Sequence, residues 1–208
     1  MFSFISNFQK KRNHSKLKEP EFDFLFDEDR SEEYVVFDTE TTGLNPKVDE
    51  ILSIGAVKIK DNKILTSQTF EIFIKNSKAI SSKSIEIHGI RACDVQNAKS
   101  ADTAIREFLH FIGSRTLVGY YLEFDVGMIN RYLIPMLGIK LPNKMIEVSE
   151  LYYDAQIATI PQGNIDLRFD TILKKYNLPN MGAHNAVNDA VMTAMIFLKL
   201  SKKGKNVK

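Results

Sequence analysis

The sequence has 208 residues, 44% of them hydrophobic, with a formal net charge of +2 and a single cysteine. That suits one globular domain with short tails, excludes an internal disulfide framework, and leaves bulk charge no argument for a nucleic-acid binder. No run reaches the roughly 18 apolar residues of a bilayer span, and Met1–Phe8 lacks a charged start and a continuous apolar segment, so neither a membrane nor a secretory signal is expected, and Cys93 fits a reducing, cytoplasmic setting.

Residues 1–33 read as an N-terminal arm. Lys10-Lys11-Arg12, Lys16 and Lys18 form a basic cluster, Pro20 interrupts it, and an acidic stretch from Glu21 to Asp29 carries Phe22, Phe24, Leu25 and Phe26. These four apolar residues are expected to pack on the domain surface, in part as a short helix, rather than to serve a dedicated partner. A domain follows over 34–200. Tyr34 to Thr39 is the first predicted strand, Ile51 to Lys60 the second, and Ile64 to Ile74 the third, returning after a tight turn at Asp61-Asn62; together they predict an antiparallel meander. Lys75 to Lys99 reads as connection. Ser100 caps a helix through Ile112 that Gly113 stops. Thr116 to Tyr120 is a short fourth strand, and Phe124 to Leu137 a helix ended by Gly138. Glu147 to Ile157 is expected to be helical, Asp166 to cap a helix through Tyr176, and Asn185 to Leu200 to form the last helix, before a basic tail over 201–208.

Three acidic segments carry the chemistry. The apolar run Tyr34-Val35-Val36-Phe37 ends at Asp38, and Glu40, two residues on, points the same way on a strand. Two carboxylates at the end of a buried strand stay ionised cheaply only with a cation between them; the alternative is a strand followed by a polar surface turn. Thr41-Thr42-Gly43 then offers hydroxyls, amides and a glycine where a ligand can come close. Asp125 falls at the start of a helix, where an aspartate by itself is usually a cap. Asp189 sits on a mostly apolar helix, where burial is costly without a partner, and His184 lies on the loop before it, where by itself a histidine reads as a surface or capping residue. Together Asp38, Glu40, Asp125 and Asp189 can converge at one edge of a sheet. Four carboxylates without nitrogen or sulfur ligands suit two divalent metal ions, Mg²⁺ or Mn²⁺, of the kind that split phosphodiesters when roughly 3.5–4 Å apart. A histidine on a loop is the expected proton acceptor.

Phe37-Asp38-Thr39-Glu40-Thr41-Thr42-Gly43-Leu44, then Phe124-Asp125, then His184-x-Ala186-x-x-Asp189-Ala190 resemble the three motifs of the DEDDh (DnaQ-like) 3′–5′ exonucleases, including the epsilon-type proofreading domain of bacterial DNA polymerase III. Ile87-His88-Gly89-Ile90 resembles the segment that lies between the first two motifs. The resemblance covers Tyr34 to Leu200 and implies an α/β, RNase H-like fold: a five-stranded mixed sheet, three antiparallel strands first, flanked by helices. It implies that Asp38 bridges two ions, that Glu40 and Asp189 complete the nucleophile-activating site, that Asp125 supports the second ion and that His184 is the general base. Thr41, Gly43 and Leu44 would line the terminal nucleotide, and nucleoside 5′-monophosphates would be released from a 3′ end.

One segment departs from the pattern. Where the family commonly has His-Asn, this chain has Tyr120-Tyr121. Tyr120 or Tyr121 is a candidate to stack on a base, with packing of the strand end as the competing role; His88 and His110 read as structural and His14 as a solvated tail residue. The expected partner is single-stranded or 3′-terminal nucleic acid, DNA ahead of RNA, with a DNA polymerase as a further candidate. The short segment after the last helix favours a stand-alone enzyme over a docked proofreader, and all five residues argue against a catalytically silent binding module.

Overall fold

The computed structural model describes residues 2–157, 165–182 and 184–204. A five-stranded sheet lies at its centre in the order β3-β2-β1-β4-β5, with β1 Tyr34–Thr41, β2 Ile51–Lys60, β3 Lys63–Phe73, β4 Thr116–Gly119 and β5 Met145–Glu147. The first three strands form the expected antiparallel meander, and its tight turn places Asp61 and Asn62 at φ of 50° and 58°, the left-handed values such a hairpin needs. β4 runs parallel to β1, and β5 parallel to β4. This mixed sheet with three antiparallel strands first is the RNase H-like architecture. The fifth strand is invisible to pattern reading, because three residues show no period.

The helices are α1 Phe2–His14, α2 Ser82–His88, α3 Ala92–Val95, α4 Ala101–Ile112, α5 Leu122–Leu137, α6 Val148–Ile157, α7 Phe169–Lys175 and α8 Ala186–Gly204. α2 and α3 lie in a stretch expected to be connection. Ser81 starts α2 by accepting the Ser84 amide, and Ser100 starts α4 by accepting that of Thr103. The predicted basic tail is helical as far as Gly204, and residues 205–208 lie outside the described residues.

Alternation along β1 divides the core into two. Val35 and Phe37 face α4 and α5, in a cluster with Phe108, Leu109 and Ile129. Val36 faces the other way, in a cluster with Met192, Ala194 and Ile196 of α8. Each fully buried side chain of this kind stabilises by about 1.5–3 kcal/mol relative to exposure.

The N-terminal arm packs more deeply than its acidic sequence predicts. A 3-10 helix over Pro20–Phe26 buries Phe22 and Leu25 completely in the α4/α5 core. Arg106 of α4 grips Glu19 through two nitrogens, at 2.6 and 2.9 Å, while its guanidinium lies over the Phe22 ring. Asn13 exchanges two hydrogen bonds with the Lys140 backbone, at 2.8 and 3.0 Å. His14 is exposed but not a free tail residue: its ring stacks on Phe26 at 4.3 Å and pairs with Asp23. No helix among the described residues is long and apolar enough to cross a membrane.

Candidate active site

Asp38 and Glu40 share a face with Val36, the face that α8 covers, while Thr39 between them points toward α5. Asp38 pairs in register with Gly55 of β2. A Cβ on Gly55 would stand 2.2 Å from the Ala186 carbonyl carbon and the Val187 nitrogen, so only glycine lets the first turn of α8 rest on the sheet here. That close approach carries Asp189 to the strand end. Ligand oxygens of Asp38, Glu40 and Asp189 all lie within 4.8 Å of one another. Regular pairing of β1 with β2 shifts between Glu40 and Thr41, where this cluster gathers.

Asp125, 4% exposed in the first turn of α5, comes to the same strand end from the opposite side of the sheet. Its Oδ1 accepts the Thr39 amide at 3.1 Å and the Thr39 hydroxyl at 2.5 Å. It stands outside the close trio, yet its charge acts on both Asp38 and Glu40. The four carboxylates therefore meet around β1 as three plus one.

Burial, followed by the charges of Asp125, Glu40 and Asp189, holds the Asp38 carboxyl well above its ordinary range. Burial and then the neighbouring aspartates push Glu40 up to about 7. Asp125 is pushed up to about 7 by burial, against the lowering effect of the Thr39 hydrogen bonds. Asp189 is raised by burial, against the lowering effect of the His184 amide, which donates to its Oδ2 at 2.9 Å. Asp189 Oδ1 is buried with no hydrogen-bond partner. Among the described residues, none of the four carboxylates forms an ion pair. An all-oxygen cluster with an orphaned buried acceptor and raised pKa values lacks positive charge, and hard divalent cations fit it.

His184 is exposed and adopts a left-handed φ of 65° beside Asp189. Burial first, and then the neighbouring His184, lower the pKa of His88. His88 accepts the Ile90 amide at Nδ1 at 3.0 Å and buries Nε2 without a partner.

The remaining predicted site residues have these surroundings. The Thr41 hydroxyl donates to the Gly43 carbonyl at 2.7 Å, and the space over Gly43 is filled by the Asp49 carboxylate, which a Cβ would meet at 2.6 Å. Leu44 is 85% exposed. Tyr120 packs inward, 4.9 Å from the Phe169 ring, with its hydroxyl donating to the Leu167 carbonyl. Tyr121 projects outward at 56% exposure. Glu147, which the sequence does not single out, binds the amides of Tyr121 and Leu122 at 3.0 and 2.7 Å. Its role depends on pairing between β4 and β5, which no local pattern announces.

Residues 35–197 match the family model described as exonuclease (RNase_T). The chain is 35% identical over 175 residues to the DNA polymerase III PolC-type protein of Caldanaerobacter subterraneus subsp. tengcongensis, covering 82% of this chain and 12% of that protein. Two solved structures share the fold. Escherichia coli exonuclease I in complex with a dT13 oligonucleotide superposes with a TM-score of 0.70 at 13% identity, over 84% of this chain and 42% of that one. Exonuclease X in complex with 5′ overhanging duplex DNA superposes with a TM-score of 0.63 at 21% identity, over 83% of this chain and 93% of that one. Because the family match runs from Val35 in β1 to Phe197 in α8 and so takes in every carboxylate of the cluster, the chain belongs to the exonuclease family as a DnaQ-like 3′–5′ exonuclease.

Proposed function

We propose that this chain hydrolyses DNA from the 3′ end with two divalent ions, Mg²⁺ or Mn²⁺, releasing nucleoside 5′-monophosphates. The observation that carries the reading is the trio of carboxylates within 4.8 Å, with the Asp189 Oδ1 buried and unpartnered beside them. Asp38, Glu40 and Asp189 would hold one ion, and Asp38 with Asp125 the other. Such ions supply Lewis acidity and a low-pKa water at a scissile phosphate.

The chain's own groups do the rest. Thr39 fixes Asp125 through two hydrogen bonds to one carboxylate oxygen. The hydrogen bond from His184 to Asp189 comes from the backbone amide, so the imidazole can accept the proton of the attacking water. Leu44 and Tyr121 present exposed apolar surface, suited to lie against bases at the 3′ end, where stacking is worth about 1–3 kcal/mol per base. The turn braced by Thr41 and Gly43 carries Leu44.

DNA is favoured because the PolC-type relatives are DNA polymerases and the exonuclease I and exonuclease X structures hold DNA. The chain spans only 12% of those relatives, so a DNA polymerase is a protein partner to test by copurification, against a stand-alone enzyme. A cytoplasmic setting goes with this reading, and there the exposed Cys93 would stay reduced. The test is a labelled oligonucleotide assay with Mn²⁺ on single-stranded DNA, mismatched duplex DNA and RNA of the same sequence. The expected result is stepwise loss of mononucleotides from the 3′ end, fastest on DNA and absent in Asp38→Ala. Cleavage by Asp38→Ala, or faster cleavage of RNA, would overturn the metal assignment or the substrate assignment respectively.

A further inference from the structure

α5 begins with an unusual demand. Tyr121, its first flanking residue, is left-handed at φ 55° and provides no side-chain cap, and the first amides of a helix have no partners within it. The cap comes from another strand. Glu147 ends β5 directly beside Gly119, the last residue of β4, in parallel register. From there Glu147 Oε1 accepts the Tyr121 amide at 3.0 Å, and Oε2 accepts the Leu122 amide at 2.7 Å. Oε1 also accepts the Ser149 amide at 2.9 Å and the Ser149 hydroxyl at 2.7 Å, which fixes the carboxylate itself. One side chain thus locks the turn from β4 into α5, and Asp125 rides in the first turn of that helix.

We propose that Glu147 is a positioning residue that sets where Asp125 stands relative to Asp38. The proposal rests on the reading in which Asp125 supports a metal ion. A carboxylate is the group the geometry requires, because both oxygens must accept and the N-terminus of a helix favours negative charge. Glutamine would turn a donating amide toward one of the two backbone N–H groups.

The test uses the full chain with Glu147→Gln, Glu147→Asp and Glu150→Gln. Glu150 makes the same change of charge on α6 without a hydrogen bond to α5. For Glu147→Gln, kcat on a single-stranded oligonucleotide is expected to fall by roughly 10–100-fold with KM little changed, the range typical of partners that orient metal ligands. Hydrogen exchange at the Tyr121 and Leu122 amides should accelerate in metal-free protein. Glu147→Asp should recover part of kcat, and Glu150→Gln should match the wild type. Wild-type kcat in Glu147→Gln, or an equal fall in Glu150→Gln, would overturn the clamp. Should Glu147→Gln fail to fold, Glu147→Asp carries the test: faster exchange at Leu122 with reduced kcat supports the clamp, and wild-type behaviour in both overturns it. Asp125→Asn separates the two layers. If it stays fully active, the role of Asp125 falls and this proposal with it; if it is inactive while Glu147→Gln keeps wild-type kcat, the clamp alone falls.

Discussion

Thr39 and Asp125 are joined twice, the backbone amide at 3.1 Å and the hydroxyl at 2.5 Å meeting the same carboxylate oxygen. Thr39 is also the residue whose neighbours on either side, Asp38 and Glu40, turn to the other face of the sheet. The pair therefore stitches α5 to the strand at the point where the acidic cluster begins. Thr39→Val keeps the shape and removes the hydroxyl, and loss of a hydrogen bond to a charged group costs about 1.5–3 kcal/mol. Stability in denaturant at pH 8 should fall by about 1.5–3 kcal/mol and the cleavage rate by roughly tenfold. Unchanged values in both measurements would mean the hydroxyl does not hold Asp125 in place.

The raised carboxyl groups make metal-free stability fall with pH. Glu40 and Asp125 are pushed up to about 7 in the folded protein, from ordinary values of 4.5 and 3.8. Between those limits the folded state binds more protons than the unfolded one, so stability is highest below the ordinary values and declines as pH rises toward 7. In the proposed metal site, divalent ions would replace the protons and cancel the repulsion. In a chelator, the melting temperature contributed by this cluster should drop between pH 5 and pH 8, and Mn²⁺ should raise it more at pH 8 than at pH 5. Asp189→Asn should be more stable than the wild type without metal and gain little from Mn²⁺. A Mn²⁺ shift of equal size at both pH values would contradict the coupling.

The acidic trio was legible because each member breaks a local rule. Asp38 interrupts a β-branched run, Glu40 shares its parity, and Asp189 sits alone on an apolar helix face. The three-plus-one arrangement was not, because the orientation of Asp125 depends on Thr39 across the sheet. β5 and the Glu147 cap escaped for a similar reason: a three-residue strand has no pattern, and the cap joins residues 26 apart in sequence. The burial of Phe22 and Leu25 did have a signal. Residues three apart eclipse in a 3-10 helix, and the acidic neighbours between and around them masked it.

Gly55 offers a test of how α8 is seated. Its missing side chain leaves room for the backbone of Ala186 and Val187, and its register partner is Asp38. Gly55→Ala must push the first turn of α8 outward, taking Asp189 with it, or strain the sheet. Overpacking of this kind costs about 1–3 kcal/mol. The variant should lose stability on that scale in thermal or denaturant unfolding, and lose the Mn²⁺-induced rise in melting temperature along with activity. A variant with normal Mn²⁺ response would show that Asp189 does not depend on this contact.

His184 separates proton transfer from metal binding. Its hydrogen bond to Asp189 comes from the backbone amide, which every substitution except proline retains. Its φ of 65° favours asparagine over alanine as a replacement, because asparagine tolerates the left-handed region and cannot serve as the base. His184→Asn should keep the Mn²⁺-induced rise in melting temperature while cleavage slows by on the order of 10²–10⁴, the contribution of a positioned general base. His184→Ala should show the same loss of rate with some added instability from the backbone. In the proposed mechanism the imidazole acts on the attacking water, so raising Mn²⁺ should not rescue either variant. Rescue by metal, or loss of the Mn²⁺ shift in His184→Asn, would make the residue part of the metal-binding shell instead of the proton acceptor.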